Sequence, residues 1–127
     1  MILGLGMDVV EIGRIARILD GPPGTAERFL ARVYTPQERA ACQTRRDRAA
    51  ALGARFAAKE AGYKALGGYP GFSWRDLEVV RPDGGAPLLR LSGAAVEAAA
   101  RLGVVRLHLT LTHDGGVAAA TVILEGA

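Results

Sequence analysis

The sequence contains little cysteine, few aromatic residues and no long apolar run. Cys42 is its only cysteine, which excludes an internal disulfide and a multi-cysteine metal site, so we expect this residue to fill space in or near the core. No apolar run approaches the roughly 18 residues that span a bilayer. The first residues, Met-Ile-Leu-Gly, do not resemble a secretory signal. We therefore predict a cytoplasmic protein without membrane contact.

Aromatic residues make up 6% of the chain, whereas Lys and Arg outnumber Asp and Glu by 16 to 13, giving a net charge of +3. A positive surface favours an anionic partner, but charge alone does not distinguish acidic proteins from nucleotides or nucleic acids. Proteins that bind nucleic acid usually combine basic residues with exposed aromatic ones. We therefore expect no nucleic-acid partner, and we keep a basic, non-catalytic RNA- or nucleotide-binding module as the alternative to an enzyme.

Hydrophobic periodicity predicts a mixture of helices and strands. The predicted strands cover residues 2–8, 77–81, 87–91, 105–112 and 117–124, and the predicted helices cover residues 9–19, 26–33, 48–66 and 92–102. The turn Pro82-Asp-Gly-Gly85 makes the second and third strands a hairpin, while Ser92 caps the last helix and Gly103 ends it. With 127 residues the chain is long enough to bury its own core. We therefore predict one α+β domain over residues 1–127.

The segment Thr35-Pro-Gln-Glu38 has the form of a capping box. Its proline stands at the first helical position, and a glutamate three residues after the threonine reaches back to the threonine amide. This pattern predicts that a further helix begins at Pro36. We assign Thr35 and Glu38 structural roles because the cap explains both residues, with catalysis by Glu38 as the minor alternative.

Two acidic residues and one lysine suit phosphoryl transfer. Asp8 follows a short apolar strand at a predicted strand-to-helix junction, where it either binds a metal or, more simply, caps the following helix. Glu60 and Lys64 lie one turn apart on the predicted central helix, as an acid for a cation and a cation for a phosphate. The alternative is an ordinary i,i+4 pair on an exposed helix face. Mg2+ is typically held by one or two carboxylates with waters and substrate phosphates, so Asp8 and Glu60 would be enough.

His113 follows Thr112 at the end of the predicted strand over residues 105–112. It shares the parity of the leucines in that strand, which favours a core histidine with one hydrogen bond. Its position just before the Asp114-Gly-Gly116 turn also places it at a rim, where an imidazole donates to a phosphate. His108 is the only other histidine, and these two residues cannot alone form a zinc site.

Four blocks of the chain, taken in order, resemble a known family. They are Gly6-Met-Asp8 through Arg14-Ile15, Phe29 through Thr35 with Glu38, Arg55-Phe-Ala-Ala-Lys-Glu-Ala with Lys64-Ala-Leu-Gly, and Thr112-His113 with Ala118-Ala-Ala. Together they resemble the holo-[acyl-carrier-protein] synthases, the small class of 4'-phosphopantetheinyl transferases. The resemblance implies an antiparallel sheet packed against a long central helix and shorter helices, equivalent to one half of the larger two-repeat transferases.

The resemblance also implies a reaction and partners. The 4'-phosphopantetheine group of coenzyme A is transferred to a serine of an apo acyl carrier protein, with Mg2+ as cofactor and with release of adenosine 3',5'-bisphosphate. The expected partners are thus coenzyme A and the acyl carrier protein. The expected assembly is a homotrimer with sites between its subunits.

Roles for single residues follow from the same resemblance. Asp8 and Glu60 bind the metal and act in catalysis with Lys64, which also binds the coenzyme A phosphates. Further contacts with coenzyme A are expected from Arg55, Lys59, Thr112 and His113. Docking of the acidic carrier is expected from Arg14, Arg28, Phe29 and Arg32. The general base stays open between Glu60 and a water held by the metal.

Overall fold

The computed structural model describes all 127 residues. In chain order its elements are β1 (Ile2–Glu11), α1 (Ile12–Asp20), α2 (Pro23–Val33), α3 (Pro36–Gln43), α4 (Arg48–Ala65), β2 (Leu77–Val80), β3 (Leu88–Leu91), α5 (Gly93–Leu102), β4 (Val104–Asp114) and β5 (Val117–Gly126). Short 3-10 turns lie at Trp74–Asp76 and Pro82–Gly84. The predicted α+β class is confirmed.

The strands form two antiparallel sheets. The larger sheet has the strand order β1-β5-β4, and the smaller one is the β2-β3 hairpin. Helix α4 packs against β1 and β5. Its buried face consists mostly of alanine, which favours a helix and keeps the side chains short. The predicted packing of an antiparallel sheet on a long central helix is therefore confirmed.

Two glycines let β1 approach the last turns of α4 closely. A Cβ atom on Gly6 would lie 1.9 Å from the carbonyl oxygen of Ala61, and one on Gly4 would lie 2.2 Å from that of Ala65. No side chain fits at such distances, so this contact requires glycine. Alternate residues of a strand share a face, which places Asp8 on the same side of β1 as the two glycines, beside the end of α4.

The first strand is longer than the sequence predicted. Val9 and Val10 continue the ladder with β5, so that β1 ends at Glu11 and the predicted helix start at residue 9 is wrong. Valine favours strands, and here its pairing with β5 outweighs the helical spacing of the following residues. Asp8 consequently lies inside the strand. Its predicted role as a helix cap is wrong, because Glu11 holds the N-cap position of α1.

Most of the local sequence patterns that predicted the other helix ends are confirmed. At the start of α3, the amide of Glu38 donates to Thr35 Oγ1 over 3.2 Å and the amide of Thr35 donates to Glu38 Oε1 over 3.0 Å, which confirms the capping box. Gly103 ends α5 with a φ of 80° in the left-handed region. Ser92 occupies the N-cap position of α5, but its side chain accepts no capping bond, contrary to the prediction. Cys42 is fully buried, as expected.

One face of the large sheet remains open. Leu5, Met7 and Val9 of β1 point to this side and are 64%, 63% and 57% exposed. They pair across the ladder with Ile123, Thr121 and Ala119 of β5. We call this surface the outer sheet face. Contiguous exposed apolar side chains of this size usually mark an interaction surface.

None of the helices has the length and apolar character that a bilayer crossing requires.

Candidate active site

Asp8 and Lys64 meet where β1 passes the last turn of α4. Nζ of Lys64 lies 2.9 Å from Oδ1 of Asp8 and donates to the carbonyl oxygen of Met7 over 3.1 Å. The Asp8 side chain is 15% exposed and that of Lys64 is 51% exposed. The carboxylate is thus mostly enclosed, while the lysine lies open to solvent. Two of the segments predicted from the sequence to share one site are indeed in contact.

Glu60 lies one turn before Lys64 on α4, yet the two side chains form no ion pair. Lys64 pairs with Asp8 instead, and Glu60 has neither a salt bridge nor a side-chain hydrogen bond, so the hypothesis of an ordinary i,i+4 pair is wrong. Partial burial raises the pKa of the Glu60 carboxyl above its usual range, and the charge of Asp8 raises it further, against Lys64 and Arg14. Two carboxylates that repel each other in this way favour a bound cation.

The donor set here fits a hard divalent cation that takes its remaining ligands from elsewhere. Nowhere in the structure do three or more His, Cys, Asp or Glu side chains form a metal-binding group. Asp8 and Glu60 supply carboxylate oxygens only, which suits Mg2+ held by one or two carboxylates together with water and substrate phosphates. A structural zinc site needs about four protein ligands and a calcium site roughly six to eight oxygens, so neither fits.

An open groove of about 380 Å³ adjoins Glu60. Its lining combines Glu60 and Lys64 with the aromatic rings of Tyr63, Phe72 and Trp74. The ring centroids of Tyr63 and Phe72 are 4.6 Å apart, and those of Phe72 and Trp74 are 5.0 Å apart. We call this feature the aromatic groove. An extended apolar ligand group would be in contact with these rings while its charged end lies beside Lys64.

Sequence reasoning missed the aromatic groove, because it gave Phe72 and Trp74 no role in a site. A signal was present: four of the seven aromatic residues lie between positions 63 and 74. The loop between α4 and β2 brings them back onto the helix, where Trp74 also stacks on Phe56 with centroids 4.9 Å apart. The rings are therefore partly core and partly groove wall.

A second cavity, of about 340 Å³, lies at the end of β4. Its lining includes His113 and Thr112 together with three arginines, Arg45, Arg55 and Arg81. We call it the basic pocket. His113 is exposed. The core-histidine hypothesis is therefore wrong, because this residue lies at the end of the strand β4, at the open rim of the pocket.

Arg55 is the most enclosed cation of the basic pocket. It is 4% exposed, and one of its terminal nitrogens donates to the carbonyl oxygen of Ala51 over 3.2 Å. Its Nε is buried without a hydrogen-bond partner. The pocket also contains Asp47, but Arg45 holds that carboxylate at 2.8 Å. An incompletely paired buried guanidinium beside a rim histidine is well suited to an anionic ligand.

Lys59 is the predicted coenzyme A contact that the structure contradicts. Its side chain is fully buried, and Nζ donates to Glu38 Oε1 over 2.7 Å, to the Leu77 carbonyl over 2.8 Å and to the Trp74 carbonyl over 3.2 Å. Burial lowers the pKa of Lys59, and the Glu38 carboxylate opposes that shift. All three ammonium hydrogens are used, so none is left for a phosphate. Glu38 is equally committed, since it also accepts from the Val79 amide over 3.0 Å.

The arginines predicted to dock the carrier lie on α1 and α2. Arg14, Arg28 and Arg32 are exposed. The charge of Arg14 contributes to the pKa of Glu60, which places this part of α1 near the carboxylates. Phe29 is half-buried and packs on two other aromatic rings, so only part of it is available to a partner.

Comparison with known proteins shows the family of the chain. A family model described as the 4'-phosphopantetheinyl transferase superfamily matches residues 4–122. The chain therefore belongs to this superfamily. It is also similar to the holo-[acyl-carrier-protein] synthase of Anaeromyxobacter dehalogenans, with 68% identity over 126 residues that cover 99% of this chain and 98% of that protein. The resemblance inferred from the sequence blocks is confirmed.

Solved structures extend the likeness to three dimensions. The holo-[acyl-carrier-protein] synthase of Neisseria meningitidis superposes with a TM-score of 0.85 at 28% identity, covering 98% of this chain and 99% of that one. A holo-(acyl-carrier-protein) synthase from Bacillus anthracis, solved in complex with CoA (3',5'-ADP), gives 0.78 at 32% identity and covers 100% of this chain and 99% of that one. The alternative of a non-catalytic RNA- or nucleotide-binding module is left without support.

Proposed function

We propose that the chain transfers the 4'-phosphopantetheine group of coenzyme A to a serine of an apo acyl carrier protein, in a Mg2+-dependent reaction. The products are the holo carrier protein and adenosine 3',5'-bisphosphate. The observation that carries the proposal is the convergence of Asp8, Glu60 and Lys64 beside the aromatic groove. Membership in the superfamily and the likeness to a structure solved with CoA support the same reaction.

Asp8 and Glu60 are the residues that would hold Mg2+, and the bound ion would neutralise charge on the diphosphate of coenzyme A. Lys64 provides a compact ammonium group for the charge that builds up on the leaving adenosine 3',5'-bisphosphate. β1 fixes Asp8 and α4 fixes the other two residues. The two carboxylates are therefore in place before the substrate arrives, which suits a reaction that depends on position and electrostatic field.

The chemical step exchanges one phosphorus–oxygen bond for another. The carrier serine oxygen bonds to the β-phosphorus of coenzyme A, and the bond from that phosphorus to the bridging oxygen breaks. The bridging oxygen leaves with adenosine 3',5'-bisphosphate, and the hydroxyl proton passes to a base. Glu60 is the candidate within the protein, because a raised pKa makes a carboxylate a stronger proton acceptor.

The two cavities match the two ends of coenzyme A. The 3'-phosphate suits the basic pocket, where Arg55, His113 and Thr112 supply donors. The pantetheine arm suits the aromatic groove, which offers apolar walls. Lys64 lines the groove and contacts Asp8, so the diphosphate would lie beside the carboxylates.

The carrier protein approaches the site over α1 and α2. Acyl carrier proteins are small acidic helical domains, and Arg14, Arg28 and Arg32 present exposed positive charge on these helices. Charges at the rim of an interface mainly set the association rate and its salt dependence. Phe29 offers a smaller apolar contact among them.

We infer that the protein assembles as a homotrimer with its sites between subunits. The outer sheet face supports assembly, because Leu5, Met7 and Val9 are more than half exposed in the single chain. The larger transferases hold two such halves in one chain, so a single half needs a second copy to complete the site. A cytoplasmic location stays a prediction.

The proposed function is tested by mass spectrometry. The protein is incubated with an apo carrier protein, coenzyme A and Mg2+, and one phosphopantetheine group should be added to the carrier. EDTA should abolish the addition. Asp8→Asn and Glu60→Gln should each lower the rate by about a hundredfold or more, whereas Glu97→Gln, an exposed acid on α5, should not change it. Unchanged transfer in both site variants would refute the proposed site.

A further inference from the structure

Lys64 occupies the carboxylate that a metal ion would need. Its ammonium group lies 2.9 Å from Oδ1 of Asp8 and 3.1 Å from the carbonyl oxygen of Met7. A divalent cation on this carboxylate is opposed while the ammonium group stays there, because the two positive charges repel each other at this short distance. Glu60 has no such partner. One carboxylate of the site is therefore already paired within the protein, while the other is free.

We propose that Lys64 exchanges partners during the binding of substrate, leaving Asp8 for the diphosphate of coenzyme A. This inference rests on the proposed function, since it takes coenzyme A and Mg2+ as the ligands. A diphosphate carries more negative charge than one carboxylate, and it therefore competes for the ammonium group. The Lys64 side chain is 51% exposed on a flexible stem, so it can change partners while α4 stays in place.

The exchange makes coenzyme A and the metal bind cooperatively. Coenzyme A removes the ammonium group that blocks Asp8, and a metal on Asp8 drives the ammonium group toward the diphosphate. By linkage, each ligand raises the affinity for the other by the same factor. While Lys64 is paired with Asp8, the metal would bind more weakly than it would after the exchange. This coupling adds to the direct contact between the metal and the phosphates.

The experiment measures metal binding and does not depend on turnover. Mn2+ replaces Mg2+, because the electron paramagnetic resonance signal of the free ion reports binding directly. It is titrated into the wild type and Lys64→Met, with and without coenzyme A, and corrected for Mn2+ bound by coenzyme A alone. Arg101→Met removes the same charge from an exposed position on α5 and serves as the control. Circular dichroism checks folding, and Lys64→Gln serves as a second variant.

Without coenzyme A, Lys64→Met should bind Mn2+ about three to ten times more tightly than the wild type, and Arg101→Met should match the wild type. Coenzyme A should raise the Mn2+ affinity of Lys64→Met about three to ten times less than it raises that of the wild type. Equal Mn2+ affinity in Lys64→Met and Arg101→Met would overturn the inference. An equal effect of coenzyme A in both proteins would also overturn it, because Lys64 would then be only a nearby repelling charge.

The outcome can be separated from that of the proposed function. A wild type that shows the expected Mn2+ and coenzyme A coupling but adds no mass to any carrier would refute the transfer reaction alone. A wild type that modifies the carrier while Lys64→Met gains no Mn2+ affinity would refute the exchange alone.

Discussion

His113 and Arg55 both line the basic pocket, but they differ in burial. Arg55 is almost fully enclosed on α4, with one guanidinium nitrogen unpaired, whereas His113 is exposed at the end of β4. A buried cation cannot be removed without disturbing the core, but an exposed imidazole can. His113 is therefore the residue that reports the ligand of this pocket most directly.

Replacing His113 with alanine should raise the KM for coenzyme A about tenfold, because a hydrogen bond to a charged phosphate is lost. The KM for dephospho-coenzyme A, which lacks the 3'-phosphate, should stay unchanged. Steady-state kinetics with both substrates measures the difference, and each substrate controls for the other. A similar loss with both substrates would contradict a 3'-phosphate role for this pocket.

At the scale of elements, the contact between β1 and α4 holds the carboxylates together. Gly6→Ala should lower the free energy of unfolding by at least about 3 kcal/mol, because the added methyl group meets the Ala61 carbonyl oxygen at 1.9 Å. Phosphopantetheine transfer should fall as well, since Asp8 moves with β1. Both quantities are measured, by urea unfolding and by carrier modification.

Gly53→Ala on α4 is the matched control. Its Cβ would lie 3.5 Å from Val10 Cγ1, an ordinary contact, and alanine is favoured over glycine in a helix interior by about 1 kcal/mol. Stability should therefore stay the same or rise, and transfer should be retained. If both alanine variants were equally stable, the close approach of β1 would not be what places Asp8.

Glu78 ties β2 to α3 and β3. Its carboxylate accepts from the Thr35 hydroxyl and from Arg90 Nε, the latter over 3.0 Å. Burial raises the pKa of Glu78, but the bonds from Thr35 and Arg90 outweigh this effect and hold the pKa below its usual 4.5. A carboxyl with a lowered folded-state pKa stabilises the fold above its ordinary pKa, and this contribution is lost as the pH falls through the folded-state pKa.

Glu78→Gln should accordingly reduce the free energy of unfolding by about 1 kcal/mol at pH 7. The difference from the wild type should shrink as the pH is lowered below the ordinary value of 4.5. Urea unfolding at several pH values measures it, with the exposed Glu97→Gln as a control for the loss of one charge. A difference that stays constant with pH would show that the ionised form of Glu78 contributes nothing.

What the sequence predicted well has local causes. The capping box at Thr35, the stop at Gly103 and the long alanine-rich helix depend on neighbours within a few residues. The outcomes that it missed depend on distant contacts. β1 runs on to Glu11 because β5 pairs with it, and Lys59 is buried because Glu38 and two carbonyl groups converge on it. Asp8 and Glu60 were predicted as site residues because their residue types suit the chemistry, whereas the ion pair between Lys64 and Asp8 could be seen only in the fold.

At the scale of the whole molecule, the arginines proposed for docking and the exposed apolar residues of the outer sheet face lie on different elements. Arg14 of α1 lies near Glu60, because burial and the charge of Asp8 raise the pKa of that carboxyl and the charge of Arg14 opposes them. The apolar residues of β1 point to the outer sheet face. The first surface is the one proposed for the acidic carrier, and the second is the one proposed for contact with other copies of the chain.

Arg14→Glu should weaken use of the carrier far more than binding of coenzyme A. The reversed charge repels an acidic partner, and the effect should act mainly on the association rate and diminish at high salt. The KM for the carrier and the KM for coenzyme A are compared, with Arg101→Glu on α5 as the matched charge reversal. An equal rise in both KM values would contradict a docking role for Arg14.

Met7→Asp should break the assembly that the outer sheet face supports. The side chain is 63% exposed in the single chain, so the aspartate costs little there, but it costs much in an apolar interface without a partner. Sedimentation should show a trimer for the wild type and mostly monomer for Met7→Asp. Val96→Asp, at an apolar position on α5 that is 48% exposed, should stay trimeric and active. Because sites between subunits need the assembly, Met7→Asp should also lose transfer; a monomeric variant that keeps full activity would show that one chain holds the whole site.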